Sequence, residues 1–219
     1  MPLYKKSLAS SRSIEVIHSE IGYCRRCESD HLCINKPELM RRGSATATVM
    51  AVGVAPGQSA INAGKAFAGN SLSRLLTWFL DAGYPLTEEQ FRDRVYLTSL
   101  NKCAAVPDTP SNRKRLWRRC APFLWRQIDI IKPQLILVLG REPAEILLKQ
   151  DGGDWNQVLG TNLRTSQLFR NDLFQPIAIE TEWLFMPHPS GLSRTMNDSR
   201  VSEMIIKSLK LALEKINFQ

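Results

Sequence analysis

Four short apolar runs along the chain predict the strands of a buried sheet. They cover residues 46–54, 95–100, 134–139 and 183–186, and they are rich in Val, Ile and Leu. Near-continuous apolar runs of this length are typical of strands that are covered on both faces. The segment between 55 and 70 contains Pro56, Gly57, Gly64 and Gly69, and it is expected to be a loop.

Amphipathic stretches between these runs predict helices. Ile14, Val16 and Ile17 form one apolar face, and Ser71 is the expected cap of a helix that ends near Gly83. Further helices are expected at residues 112–131, 142–149 and 197–217. Alternating strands and helices predict an α/β fold, here a three-layer α-β-α sandwich around a mainly parallel central sheet of about four strands. We expect residues 1–219 to form one domain, with a basic leader and N-terminal helix at 1–20 and a cysteine-bearing loop at 22–45.

Composition narrows the class of protein. The 219 residues are 43% hydrophobic, which suffices for one sizeable core. The sequence contains no run of 18 or more apolar residues, so it predicts no membrane-spanning helix. The basic start has no apolar signal region, so we expect a cytoplasmic (bacterial, nucleoid-associated) protein and, by default, a monomer. A net charge of +8 favours a polyanionic partner, most often nucleic acid. A basic protein that binds no polyanion is the alternative on charge alone.

Five cysteines suggest a metal site rather than disulfides, because their number is odd and the chain is expected to be intracellular. Cys24 and Cys27 form a C-x2-C pair in a polar segment, and Cys103 and Cys120 follow far downstream. Two cysteines at C-x2-C spacing and two more distant ones suit a four-thiolate metal or iron–sulfur site. Scattered buried cysteines are the alternative, and Cys33 has no assigned role.

Candidate chemistry collects where the predicted strands end. The loops at 53–58, 99–103 and 188–191 are rich in Gly, Pro, Asn or His, and ligands of parallel sheets bind beyond the carboxyl ends of the strands. Glycine lets backbone N–H groups approach a phosphate or a base closely. A lone histidine is more often a structural hydrogen-bonding group, but His188 directly follows a strand between two prolines, which favours a functional role.

Five segments then stand out by their order and spacing: GVAPG, AGKAFAGNS, VYLTSLNKC, RRCAPFLWRQIDIIKPQLILVLG and HPSGLSR. Together with the four cysteines they resemble the uracil-DNA glycosylase superfamily. Among its branches, the chain is similar to the iron–sulfur-containing bacterial type near family 4. The resemblance runs from about Gly22 to Arg194.

The resemblance implies a set of site residues. Phe67 matches the aromatic residue that stacks on the extruded base, and His188 matches the histidine that hydrogen-bonds uracil O2 as negative charge builds there. Leu192 lies in the loop that enters the minor groove. The expected cofactor is a structural 4Fe–4S cluster, and its implied ligands are Cys24, Cys27, Cys103 and Cys120. The base-binding segments implied are Gly53, Val54, Ala55, Gly57, Gln58 and Ser99.

Physical reasoning supports a DNA partner, uracil-containing or otherwise base-damaged. A base inside a duplex must be rotated out before its sugar bond is attacked, and an inserted apolar side chain offsets part of the unstacking cost. Basic side chains near the predicted edge are candidates for holding phosphates. These are Lys102, Arg113, Lys114, Arg118, Arg194 and Arg200, with Ser190, Gly191 and Ser193 beside Leu192 in the same DNA-binding role.

Two residues depart from the family pattern. Val54 stands where family 4 has an acidic residue that orients or activates water, and Ser99 stands where the family usually has Asn. Asn101 lies two positions on and shares the strand face with Ser99 if the strand continues that far. Our hypothesis is that Asn62 or Asn101 positions the water by hydrogen bonding, while His188 stabilises the leaving base.

The sequence therefore favours a DNA glycosylase that excises uracil or a related deaminated base and leaves an abasic site. One alternative is a catalytically weak or inactive protein that binds uracil-containing or abasic DNA. A third interpretation is a small zinc-ribbon-like interaction protein with an incidental basic surface.

Overall fold

The computed structural model of the protein describes residues 13–33, 43–148, 155–165, 180–190 and 195–218. The basic leader before Ser13 lies outside the described residues. So do Gly191, Leu192, Ser193 and Arg194, and their expected roles at the DNA remain predictions.

A five-stranded sheet forms the centre of the described structure. Its strands are β1 (Val49–Gly53), β2 (Val95–Ser99), β3 (Leu135–Leu139), β4 (Asn162–Arg164) and β5 (Glu182–Met186). Their spatial order is β2-β1-β3-β5-β4, with β2, β1, β3 and β5 parallel and β4 antiparallel to β5. The four strands expected from the apolar runs are confirmed. The additional strand β4 is short and lies at the edge of the sheet.

The alternation of side chains along each strand divides the core into two halves. Met50, Tyr96, Ile136 and Trp183 point to one side and pack among the first set of helices. Val49, Leu97, Leu137 and Leu184 point to the other side and pack among the second set. Because helices cover both faces, all five residues of β1 and of β3 are buried. The predicted three-layer α-β-α sandwich is confirmed.

Eight α-helices are described, and their beginnings follow ordinary capping chemistry. The Ser13, Thr87, Thr109 and Asp198 side chains accept backbone N–H groups at four of the N-termini. The helices are α1 (Ile14–Gly22), α2 (Gln58–Ala63), α3 (Asn70–Asp81), α4 (Glu88–Arg94), α5 (Pro110–Ile131), α6 (Arg141–Leu147), α7 (Trp155–Val158) and α8 (Ser199–Lys215). Within the described residues, no helix combines the length and the apolar character needed to cross a membrane.

Two expectations about local structure were wrong. The cap of α3 is Gly69, with a φ of 62° that favours glycine, and Ser71 lies inside the helix. The segment expected to be a loop between 55 and 70 contains the short helix α2. This helix was missed because its six residues include the polar Gln58, Ser59 and Asn62, which leave little apolar periodicity to detect.

Candidate functional site

The three loops expected to carry chemistry surround one cavity at the carboxyl edge of the sheet. Its volume is about 510 Å³, within the range of small-ligand sites. No carboxylate is among its described lining residues, whose only ionisable side chains are Lys102 and His188. The lining is formed by Ala55, Pro56, Gly57, Gln58, Ser59, Ala60, Ala66, Phe67, Ala68, Gly69, Asn70, Ser71, Leu97, Thr98, Ser99, Lys102, His188 and Ser190.

His188 follows β5 and lies half-buried in the cavity wall. The Ser190 backbone N–H donates to its Nδ1 at 3.1 Å, so in the neutral ring the proton resides on Nε2. Burial holds the pKa of His188 below its usual value, which favours this neutral form. The imidazole thus offers one N–H donor. Its ring packs on Gly140, where a Cβ would lie 3.2 Å from the His188 Cβ.

Phe67 lines the same cavity as His188, as the sequence predicted. Its φ is 50°, in the left-handed region that costs a non-glycine residue about 1–2 kcal/mol. The ring lies against Gly53 at the end of β1, where a Cβ would approach Phe67 Cζ to 3.0 Å. Glycine at 53 therefore makes room for the aromatic ring, although Gly53 itself does not line the cavity.

The candidate water-positioning groups occupy different places. Gln58 lines the cavity, and its Nε2 donates to Asn62 Oδ1 at 2.7 Å. Asn62 is exposed and does not line the cavity. Asn101 is fully buried and does not line the cavity, and its Nδ2 donates to the Arg113 backbone carbonyl at 2.9 Å. Strand β2 ends at Ser99, so the condition for Asn101 to share that strand face is not met.

Ser99 and Val54 differ in their access to the cavity. Ser99 lines it, but its hydroxyl donates to the Asn101 carbonyl at 2.6 Å, which leaves lone pairs for a ligand. Val54 is half-buried and does not line the cavity. The Val54 carbonyl accepts the Asn101 N–H at 2.9 Å, so hydrogen bonds between the first two loops continue beyond the strands.

Lys102 was expected on a phosphate-binding surface, but the structure places it inside the protein with only 3% of its surface exposed. Its Nζ donates to Thr98 Oγ1, the Ser99 carbonyl and Gln127 Oε1 at 2.9, 2.6 and 2.8 Å. Three acceptors match the three ammonium hydrogens, which stabilises a buried charge. The buried Lys102 therefore forms the floor of the cavity. Its position does not support a contact between its ammonium group and a DNA phosphate at the protein surface.

Among the described residues, the other basic candidates lie outside the cavity and fall into two groups. Arg113 is mostly buried, and its guanidinium pairs with Glu142 at 2.8 Å and Asp108 at 2.6 Å. These carboxylates raise the pKa of Arg113 and occupy the donors that a phosphate would use. Lys114, Arg118 and Arg200 are exposed and remain candidates for phosphate contacts.

The cysteines lie near one another in the structure. Burial raises the pKa of the Cys103 thiol, and the Cys33 and Cys120 thiols raise it further. Burial also raises the pKa of Cys120 to about 11, against a hydrogen bond from the Lys102 backbone. Within the part of the chain that the structure describes, no three His, Cys, Asp or Glu side chains are arranged to bind a metal ion. The donor chemistry is thus present without a preformed cage.

Ion pairs attach the cysteine-bearing segment to α5. Arg119 donates to the Arg26 carbonyl at 2.7 Å and pairs with Asp30, and Arg126 pairs with Glu20. Leu32 and Val106 join through a backbone hydrogen bond, which places Cys33 opposite Ala105. Cys33 is therefore a neighbour of Cys103, a proximity that the sequence spacing does not reveal.

The family of the chain is established by comparison with known proteins. Residues 40–210 match the model of the uracil-DNA glycosylase superfamily, which is most of the chain. The chain therefore belongs to the uracil-DNA glycosylase superfamily, and the resemblance predicted from its motifs is confirmed.

Individual relatives place the similarity near type 4. The chain is 30% identical to the type-4 uracil-DNA glycosylase of Sulfurisphaera tokodaii over 146 residues, which are 67% of this chain and 63% of that protein. It is 30% identical to the type-4 uracil-DNA glycosylase of Saccharolobus solfataricus over 141 residues, 63% of this chain and 60% of that protein. The matched part thus spans less than two thirds of the length of these relatives.

Proposed function

We propose that this protein is a DNA glycosylase that hydrolyses the N-glycosidic bond of uracil, or of a related deaminated base, and leaves an abasic site. The observation that carries the proposal is that Phe67 and His188 line one cavity at the carboxyl edge of the sheet. An aromatic ring and a single fixed N–H donor are the groups that an extruded pyrimidine needs for stacking and for recognition of a carbonyl oxygen.

The proposed chemistry depends on charge separation at the glycosidic bond. As the bond breaks, positive character develops on deoxyribose and negative charge on the departing base. The neutral His188 donates its Nε2–H to the base oxygen where that charge builds, and the buried Lys102 supplies positive potential from the cavity floor. Removing one such donor in other enzymes costs about 3 kcal/mol of transition-state stabilisation.

The attacking water is proposed to be positioned by a hydrogen bond, without a strong base. Val54 has no carboxylate, and none lines the described cavity. Gln58 lies on the cavity surface and Asn62 fixes its amide by accepting from Nε2, which leaves Gln58 Oε1 available for a water. An oxocarbenium-like sugar is electrophilic enough to react with a water held in this way. The position of Gln58 makes it a better candidate than Asn101.

We also propose that Cys24, Cys27, Cys103 and Cys120 hold a 4Fe–4S cluster. The Cys24 thiol lies close enough to the other three to raise the pKa of Cys27, Cys103 and Cys120. Cys27 and Cys120 are buried, which suits soft thiolate ligation. When bound, the cluster supplies a covalent link between the cysteine-bearing segment and α5. Cys33 is the alternative ligand, because its thiol lies close enough to Cys103 to raise the pKa of that residue.

Iron analysis tests the cluster independently of activity. Protein purified without oxygen is expected to be brown and to contain about four iron atoms per chain. Cys120→Ser should abolish the colour, whereas Cys33→Ser should keep it. Retained iron in Cys103→Ser with loss in Cys33→Ser would exchange the two roles, and a colourless protein that contains zinc would reject the cluster.

A DNA-binding protein without turnover is the second candidate function, and Val54 in place of the family's acidic residue is the observation that favours it. The deciding assay uses oligonucleotides with one uracil, single-stranded or paired with G or A, treated with alkali to cleave abasic sites. Strand scission that requires uracil supports the enzyme. A uracil-dependent gel shift without scission supports the binding protein.

The variant His188→Ala tests the role of His188 in the same assay. It should reduce single-turnover cleavage at least about tenfold, because the leaving base loses its donor. An unchanged rate in a folded variant would contradict the role of His188.

Four further statements remain parts of this proposal: DNA is the partner, the protein is a monomer, it is cytoplasmic, and it forms a single domain.

A further inference from the structure

Arg92 is a charged side chain inside the protein that the proposed reaction does not yet use. Only 6% of the residue is exposed, and it belongs to α4, behind the cavity wall. Its Nη1 donates to the Ala66 carbonyl at 2.9 Å and its Nη2 donates to the Phe67 carbonyl at 3.2 Å. One guanidinium therefore contacts the two peptide groups that flank the Phe67 Cα atom.

The backbone around Phe67 has an unusual conformation. Gly64, Phe67 and Gly69 all have a φ between 50° and 62°, and Phe67 is the non-glycine residue among them. The left-handed conformation is unfavourable for a residue with a Cβ, so it persists where its surroundings fix it. Because the planes of the two flanking peptides set the direction of the Cα–Cβ bond, holding both carbonyls also fixes the direction in which the side chain leaves the backbone.

Arg92 is itself held in place from several sides. Its Nε donates to Glu88 Oε1 at 2.8 Å, one helical turn earlier in α4. The Arg92 carbonyl accepts the Ser44 N–H, and Gly43 leaves space there, since a Cβ at 43 would lie 2.6 Å from that oxygen. Lys65, two residues before Phe67, pairs with the same Glu88 at 3.8 Å. Thus α4 supports the segment around Phe67 through two charged side chains, Arg92 and Glu88.

We propose that Arg92 is a positioning residue that acts through Phe67, orienting its ring for stacking on the base in the cavity. The proposal rests on the proposed function for the meaning of stacking, although the orientation of the ring is a property of the free protein. Arginine is required because its planar fork reaches two carbonyls and one carboxylate at once. A lysine has its donors on one atom and cannot span the three acceptors in this arrangement.

A double-mutant cycle on single-turnover cleavage tests whether Arg92 acts through Phe67. Arg92→Met is expected to lower the maximal rate at least about fivefold while changing the affinity for undamaged duplex less than twofold. Phe67→Ala lowers the rate as well, and adding Arg92→Met to it should then cost less than twofold. Arg92→Lys should fall between wild type and Arg92→Met, and Glu88→Gln should have a smaller effect because both carbonyl bonds remain.

A second readout needs no activity, so that failure of the proposed function can be told apart from failure of this proposal. Fluorinated phenylalanine at position 67 gives a 19F resonance in the free protein, assigned by its loss in Phe67→Leu. Arg92→Met should shift or broaden that resonance, and a fluorinated Phe123 should stay unchanged as the control. An unchanged resonance at 67, or equal rate losses from Arg92→Met with and without Phe67, would overturn the proposal. If Arg92→Met does not fold, Arg92→Lys and Glu88→Gln carry both readouts.

Discussion

The protonation of His188 couples the stability of the fold to pH. Its pKa is lowered by burial from the ordinary histidine value of 6.5. Between the lowered value and 6.5, the unfolded chain binds a proton that the folded chain does not. The contribution of His188 to the free energy of unfolding should therefore reach its maximum above about pH 6.5. It should decrease as the pH falls through this window. Urea unfolding between pH 5 and 7.5 measures it, and His188→Gln should remove this part of the pH dependence.

The same group should set the acid limit of cleavage. Protonation of Nδ1 replaces an acceptor by a donor and breaks the hydrogen bond from the Ser190 N–H. Because the folded pKa is lowered, the single-turnover rate on uracil-containing DNA should still exceed half of its plateau at pH 6.5 and should fall to half only at a lower pH. A rate that already falls to half above pH 6.5 would contradict a neutral His188.

At the residue scale, the sequence predicted types of chemistry better than positions. His188 could be predicted because it directly follows a strand, and Phe67 because its segment resembles the family's motif; the structure places both at one cavity. Lys102 also lies in such a loop, yet nothing in its spacing shows that Gln127, on a distant helix, accepts from its ammonium. The same holds for Arg92, whose acceptors are 25 and 26 residues away.

At the scale of elements, two glycines fix how strands meet the cavity residues. Gly53 has no positive φ, and a Cβ there would meet Phe67 Cζ at 3.0 Å. Gly53→Ala should therefore push the aromatic ring aside and lower the cleavage rate about tenfold, while overpacking lowers the free energy of unfolding by about 1–3 kcal/mol. Rapid-quench cleavage and urea unfolding of the same samples measure the two effects. An unchanged rate in the folded variant would contradict a functional contact of Gly53 with Phe67.

Gly140 makes a contrasting case at the end of β3. Its φ is 109°, and a Cβ would lie 3.2 Å from His188 Cβ and 3.3 Å from His188 Cδ2. Gly140→Ala should lower the free energy of unfolding by about 1–2 kcal/mol through backbone strain. It should also lower the rate, because the imidazole is displaced. Unchanged stability measured by urea unfolding would show that the loop relaxes around the new methyl group.

The elements that could be predicted are those with a strong pattern. The four parallel strands have uninterrupted apolar runs because helices cover both of their faces, and α5 has a long amphipathic repeat. Strand β4 has three residues, none of them buried, so it leaves no periodic signal. Its pairing with β5 depends on tertiary contacts that the local sequence does not encode.

At the scale of the whole molecule, the net charge of +8 can be related to the two edges of the sheet. Helix α5 begins at the carboxyl edge, since the Arg113 carbonyl near its start accepts from Asn101 in the loop after β2. Helix α8 ends at the opposite edge, where Lys215 pairs with Glu182 at 2.5 Å, the first residue of β5. Excess positive charge at the start of α5 therefore lies at the same edge of the sheet as the cavity, which is where a DNA backbone would approach.

Salt dependence of DNA binding tests which of these charges meet phosphates. Lys114 and Arg118 are exposed, whereas the Arg113 guanidinium is paired with Glu142 and Asp108. The slope of log K against log salt concentration is negative, and its magnitude decreases by about 0.9 for each phosphate that the protein no longer neutralises. The double variant Lys114→Gln/Arg118→Gln should therefore reduce the magnitude of the slope by nearly 2, measured by fluorescence anisotropy with a uracil-containing duplex.

The controls for that measurement separate phosphate binding at the start of α5 from the general charge of the protein. Lys207→Gln/Lys210→Gln removes the same charge from α8, toward the far edge of the sheet, and should leave the slope within about 0.3 of wild type. Arg113→Gln should likewise leave the slope unchanged but should lower the free energy of unfolding, because Glu142 loses its partner. If all three variants reduce the magnitude of the slope equally, DNA is attracted by the net charge of the protein. The start of α5 is then not the surface on which DNA docks.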